Sequence, residues 1–89
     1  MTYDKTEHIR RILVGLINAG YSEDEAQRRA ELVVEYGEDN VWNTDEATTV
    51  FKFKQFLAPF AYVQRRKDGV TGTVEFTHSP RFYFNFQEE

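Results

Sequence analysis

The feature that constrains this chain most is a change of hydrophobic period close to residue 47. Before it, apolar side chains recur at helical spacing. Beyond it they alternate, one in and one out, as they do along half-buried strands. Helices followed by strands restrict the fold to an α+β arrangement, with helices over one face of an antiparallel sheet.

The first half reads as a helical hairpin over residues of about 4–37. Ile9, Ile12, Leu13, Leu16 and Ile17 form one apolar stripe, with Asp4 as N-cap, Glu7 three residues on and Gly20 as the stop. The second helix opens on an S-x-x-E capping box, Ser22 and Glu25, with Tyr21 placed to staple onto Ala26. Ala26, Ala30, Val33 and Val34 lie on one side, widened by Leu32 and Tyr36, and Gly37 ends the helix. The connection Asn18–Ser22 is short, so the two helices run antiparallel. Residues 38–47 read as a loop with at most a helical turn, where Asp45 and Glu46 favour a helix N-terminus.

The second half, about 48–86, reads as a four-stranded meander, giving the order ααββββ in a single domain. Phe51, Phe53 and Leu57 alternate with Lys52 and Lys54, and Pro59 interrupts the ladder. Asp68-Gly69 predicts a two-residue hairpin turn that sets Val63 opposite Val74, Ala61 opposite Phe76 and Arg65 opposite Gly72. Gly72 there relieves crowding or marks a bulge. Alternation puts Phe82, Phe84 and Phe86 on the dry face with Phe51, Phe53, Val63, Val70, Val74 and Phe76. The other face then carries Lys52, Lys54, Tyr62, Arg66, Arg81 and Tyr83, with Gln64, Thr71, Thr73, Glu75 and Asn85 among them.

That second face is the candidate functional surface. Tyr and Arg are common anchors at protein interfaces. Basic side chains with exposed rings also suit single-stranded nucleic acid. Against both stands a plain solvated strand face, since Lys and Arg also guard exposed strands. The net charge of −4 argues against strong nonspecific DNA binding. The charge is two-sided: residues 1–47 carry a net −6 and residues 48–89 a net +2. The acidic side chains Glu23, Asp24, Glu25, Glu31, Glu35, Glu38 and Asp39 offer a second surface, suited to a basic partner. Small acidic domains encoded by phage or mobile elements inhibit host proteins in this way, an analogy of class only.

No motif names a reaction. His78, with Glu75, Ser79 and Arg81 nearby in sequence, invites an acid–base reading, but Glu75 is expected to point to the outer face and the turn residues diverge. His8 reads as a solvated helix residue. Glu38, Asp39, Asn40, Asn43, Asp45 and Glu46 are oxygen-rich but lack the spacing and central glycine of a calcium loop. No cofactor or metal is expected. The chain has no cysteine, no signal-peptide run and no apolar stretch of membrane-spanning length, so a cytoplasmic protein without membrane contact is expected. The open edges of a meander also allow a homodimer.

The segment LINAGYSEDEAQRRAELV resembles the first two helices of ubiquitin-associated domains, through the Gly20-Tyr21 turn and Ala26. The resemblance implies a helical hairpin and nothing more. That family is a three-helix bundle, while residues 48–89 read as strands, and no ubiquitin binding is carried over.

The expectation is therefore a noncatalytic protein-interaction module using Lys52, Lys54, Tyr62, Arg66, Arg81 and Tyr83. Single-stranded nucleic-acid binding through the same face is the first alternative. A small enzyme built on His78, Glu75 and Arg81 is the second.

Overall fold

The computed structural model describes residues 5–89, so the Asp4 N-cap expected from the sequence lies outside the described residues. Two helices, α1 (Lys5–Asn18) and α2 (Glu23–Tyr36), form the expected antiparallel hairpin. Its turn is a Schellman motif: Tyr21 N–H donates to Leu16 C=O (3.1 Å) and Gly20 N–H to Ile17 C=O (3.0 Å). Gly20 supplies the left-handed residue, φ +101°, that the motif requires. Ser22 caps α2 by accepting from Glu25 N–H (3.3 Å), and its hydroxyl donates to the Glu25 carboxylate (3.0 Å). Gly37 N–H closes the helix on Val33 C=O.

A single 3-10 turn, Glu38–Asn40, leads into the strand β1 (Val41–Asn43), then a short helix α3 (Thr44–Val50). β1 lies where the sequence reads as loop, and α3 runs on from that loop through Thr48–Val50, which the sequence reads as the start of the first strand. Four strands follow: β2 (Phe51–Leu57), β3 (Phe60–Arg65), β4 (Thr71–Phe76) and β5 (Phe82–Glu88). They form the expected antiparallel meander, and β1 adds a fifth strand beyond β5, giving the order β1-β5-β4-β3-β2.

The hairpin β3–β4 differs from expectation. Ala61 faces Val74 and Val63 faces Gly72, two residues from the predicted register. The loop is Arg66–Gly69 rather than Asp68-Gly69 alone, closed by Gly69 N–H on Arg65 C=O (2.8 Å) and Val70 N–H on Asp68 Oδ1 (3.2 Å). Longer loops of this kind set a different register from a two-residue turn. An even shift keeps every side chain on its predicted face.

Two bulges do change faces. Between Phe53 and Gln55 the β2 register slips by one residue, so Leu57 pairs with Phe60 on the face opposite Phe51 and Phe53. In β5 a slip around Asn85, which adopts φ +57°, moves Phe86 to the opposite face from Phe84. Asn40 Oδ1 accepts the Phe86 N–H (3.1 Å) beside this slip.

The sheet therefore has two dry regions on opposite faces. On one face, here the inner face, Phe51, Ala61, Val63, Val74, Phe76 and Tyr83 pack with Ala47 of α3. Trp42, Phe53 and Phe86 pack against the same cluster. On the outer face, Val41, Phe82 and Phe84 pack under Leu32, Val33 and Tyr36 of α2. The helical hairpin thus covers the β1–β5 half of the outer face, and α3 covers the inner one. The expected single dry face holding Phe82, Phe84 and Phe86 with Phe51 is corrected accordingly: Phe82 and Phe84 lie under α2, across the sheet from Phe51 and Phe86.

Gly72 is a close-approach position. A Cβ there would meet the Gln87 carbonyl oxygen and the Phe86 ring, so the β4–β5 contact needs glycine. Among the described residues, no helix is long and apolar enough to cross a membrane.

Candidate functional site: the open half of the outer sheet face

Because α2 covers only β1 and β5, the outer face of β2, β3 and β4 remains open. Strand pairing places Leu57 opposite Phe60, Gln55 opposite Tyr62 and Lys52 opposite Gln64, all on this face. Thr71, Thr73 and Glu75 continue it on β4. Leu57 is 60% exposed, Phe60 44% and Tyr62 37%. Phe56 sits at the same end of the sheet on the inner face, 52% exposed. It stacks on Phe53 at 5.4 Å between ring centroids and meets Phe76 edge-on at 5.6 Å. Single exposed apolar side chains are ordinary, but a contiguous group at one sheet end is the composition of a contact surface.

The sequence-predicted site residues divide into three places. Lys52 and Tyr62 share the open outer face, and Lys54 is exposed at the β2 bulge. No ion pair holds either lysine among the described residues. Arg66 lies at the β3–β4 loop, where its Nε donates to Thr48 C=O (3.0 Å) and its N–H to Val50 C=O (2.8 Å). Arg81 lies at the other end of the sheet, its guanidinium over the Phe76 ring at 5.2 Å and donating to His78 Nδ1 (2.7 Å). The length of β3 separates Arg66 from Arg81, roughly 20 Å, so the two do not form one patch. Tyr83 is not on the surface. It is 3% exposed, opposite Trp42 and Phe76, with its ring 4.9 Å from Phe53. Its removal from the site follows from the phase of β5, which puts Phe82 and Phe84 under α2.

Leu57, Phe60 and Phe56 are missing from the predicted set. The Phe53/Gln55 bulge that exposes Leu57 leaves no composition signal. Leu57-Ala58-Pro59-Phe60 does leave one: apolar residues flanking a proline turn close the hairpin, where a covering helix is least able to reach.

The acid–base reading of His78 finds no converging groups. Glu75 lies on the outer face and accepts from Asn85 Nδ2 (2.8 Å). His78 and Arg81 pack instead around Phe76, which is on the inner face, with the His78 ring edge-on to it at 5.4 Å. Thr77 closes the turn with its side chain: its hydroxyl donates to Pro80 C=O (2.9 Å) and accepts from Phe82 N–H (3.1 Å). In the oxygen-rich 38–46 segment, the side chains of Asn40, Asn43 and Glu46 are engaged internally. Asn43 accepts from Glu46 N–H (2.7 Å), and the Glu46 carboxylate accepts from Asn43 N–H (2.9 Å), a full capping box. Among the described residues no three His, Asp or Glu side chains are grouped to hold a metal ion.

A polar knot anchors the helical hairpin to this body. Arg29 of α2 is 11% exposed in its side chain and pairs with Glu46 at 2.7 Å. It also donates to the Tyr21 hydroxyl (3.0 Å) and lies over the Phe82 ring at 5.8 Å. Partial burial pushes the Glu46 carboxyl up, but hydrogen bonds from Arg29 and Asn43 and the Arg29 charge outweigh it and hold it below its ordinary value.

Two clefts flank these elements. One of about 540 Å³ brings Trp42 beside Arg65, Arg66 and Lys67, although Arg65 is already held by Asp68 at 2.7 Å. The other, about 640 Å³, lies between α1 and α2, lined by Ile12, Leu16, Val33 and Val34.

No protein-family model, no curated protein and no solved structure matches this chain.

Proposed function

We propose that this is a noncatalytic protein-binding module that grips its partner through the open outer face of β2–β4. The observation that carries the reading is the contiguous exposure of Leu57, Phe60 and Tyr62, with Lys52 beside them and Lys54 at the edge. An apolar centre with a charged rim is the anatomy of a binding surface, and an exposed ring among strand residues is the type of side chain that anchors one. Stoichiometric inhibition of a host protein by a phage or mobile-element product is one role of this kind. The division of the chain into an acidic and a basic half supports it.

The test is affinity capture from lysate, with and without nuclease, at low and high salt, using wild-type protein and the double variant Phe60→Ala/Tyr62→Ala. The reading predicts a discrete protein that survives nuclease and is retained by wild type. The variant should lose it by at least about tenfold in affinity while its melting temperature stays close to wild type. Equal retention by the variant overturns the proposal. Recovery of nucleic acid alone, falling steeply with salt, would replace it with the phosphate-binding alternative.

A further inference from the structure

The edge beside this patch has a property of its own. The sheet ends on one side in β1, only three residues long, whose Asn43 N–H is already taken by Glu46 (2.9 Å). It ends on the other side in β2, seven residues long and exposed at Lys52 and from Lys54 to Leu57. Arg66 N–H donates to Val50 C=O, so Phe51 and Arg65 form a non-hydrogen-bonded pair. Antiparallel pairs alternate. Lys52 therefore turns its backbone groups into β3, and Phe53 turns its own outward. Beyond the bulge, Gln55 faces Tyr62 and turns inward, and Phe56, opposite Ala61, turns outward. The open edge thus offers the N–H and C=O groups of Phe53 and Phe56.

We propose that β2 receives an extended, acidic segment of a partner protein as an added antiparallel strand. The inference rests on the protein-binding reading above and specifies how that partner docks. Charge selects the occupant. Lys52 and Lys54 are the only charged residues of β2, both cationic and free of ion pairs among the described residues. A second copy of β2 would set these lysines against their equivalents, a repulsive juxtaposition, whereas carboxylates complement them. Backbone groups give such an addition its affinity, and alternate side chains give it specificity. The alternation also fixes the pattern of the incoming strand. Residues directly opposite Phe53 and Phe56 exchange both hydrogen bonds with them and share their inner face, so these are apolar. The neighbouring positions, one opposite Lys52 and one opposite the Lys54–Gln55 bulge, lie on the outer face beside the lysines, so these are acidic.

The test uses the full chain, labelled with nitrogen-15, and short blocked peptides of about eight residues, the length of an ordinary strand. The probes are an alternating Glu-Val peptide, its Lys-Val counterpart, and Glu-Val peptides N-methylated at the valines or at the glutamates. The proposal predicts that Glu-Val binds and slows amide exchange at Phe53 and Phe56. Methylation at the valines should abolish this, methylation at the glutamates should not, and Lys52→Glu/Lys54→Glu should reverse the charge preference. Equal binding of Lys-Val, or no slowing at Phe53 and Phe56 with any peptide, overturns it. Shifts confined to Phe60 and Tyr62 without slowing would remove the edge inference and leave the open-face reading standing. A protein already dimeric in the absence of peptide, with these amides protected, would assign the edge to a second copy instead.

Discussion

Tyr62 and Tyr83 mark the boundary between surface and core. Both sit in alternating strand sequence, and period alone puts both on the same face. In the structure Tyr62 is exposed beside Phe60, while Tyr83 is enclosed by Phe53, Phe76 and Trp42. Urea unfolding should separate them. Tyr83→Ala is expected to cost about 3 kcal/mol, as truncation of a buried ring does, and Tyr62→Ala less than about 0.5 kcal/mol. Gly72→Ala should cost about 2 kcal/mol, because its methyl group would meet the Gln87 carbonyl and the Phe86 ring. Phe51 and Phe53 ahead of the β2 bulge, and Ala61, Val63, Val74 and Phe76 of β3 and β4, were legible because their alternation is regular, whereas Phe56 and Leu57 past the bulge were not. Nor were Phe82, Tyr83 and Phe84, whereas Phe86 does share the face of Phe51 as expected. The faces along β5 depend on the covering helix and on a left-handed Asn85, and neither alters the hydrophobic pattern of Phe82–Phe86.

Helix α3 shows how an element can form against weak local preference. Its sequence, TDEATTV, contains three β-branched threonine and valine residues near its end, poor helix formers. It forms because Asn43 and Glu46 satisfy its N-terminus reciprocally and Ala47 is fully buried against the sheet. The α1–α2 hairpin was readable from Ser22, Gly20 and the apolar stripes, and Asp45 and Glu46 marked the start of α3, whereas its run through Val50 and the strand β1 require tertiary contacts that a local pattern does not carry. Glu46 has two tasks, as cap and as partner of Arg29. Its depressed pKa means that its contribution is fully present above the ordinary carboxylate range and is lost as the pH falls through the lower, folded-state value. Glu46→Gln should therefore be less stable than wild type at neutral pH, and thermal melts across an acid series should show that gap closing. A gap that stays constant in acid would mean that the charge of Glu46 is not what stabilises α3. Arg29→Met should cost about 2 kcal/mol, between the value of a surface pair and that of a buried one.

At the scale of the whole molecule, two helical elements close different faces of one sheet. The hairpin α1–α2 covers β1 and β5 from outside, and α3 covers the aromatic inner cluster. The uncovered remainder is the outer face of β2–β4, with the β2 edge beside it. The side of the sheet carrying this surface was legible, since Lys52 and Tyr62 were in the predicted set. Its apolar centre was not, because Leu57 reaches it through a bulge and Phe60 through its position at the hairpin end. The most direct measurement is hydroxyl-radical footprinting of side chains, read by mass spectrometry, in the free protein and in complex with the captured partner. The account predicts strong labelling of Phe56, Leu57, Phe60 and Tyr62 in the free protein and almost none of Phe82 and Tyr83. In the complex, Leu57, Phe60 and Tyr62 become protected. Labelling of Tyr83 as strong as that of Tyr62, or a complex in which these three stay reactive, would contradict it.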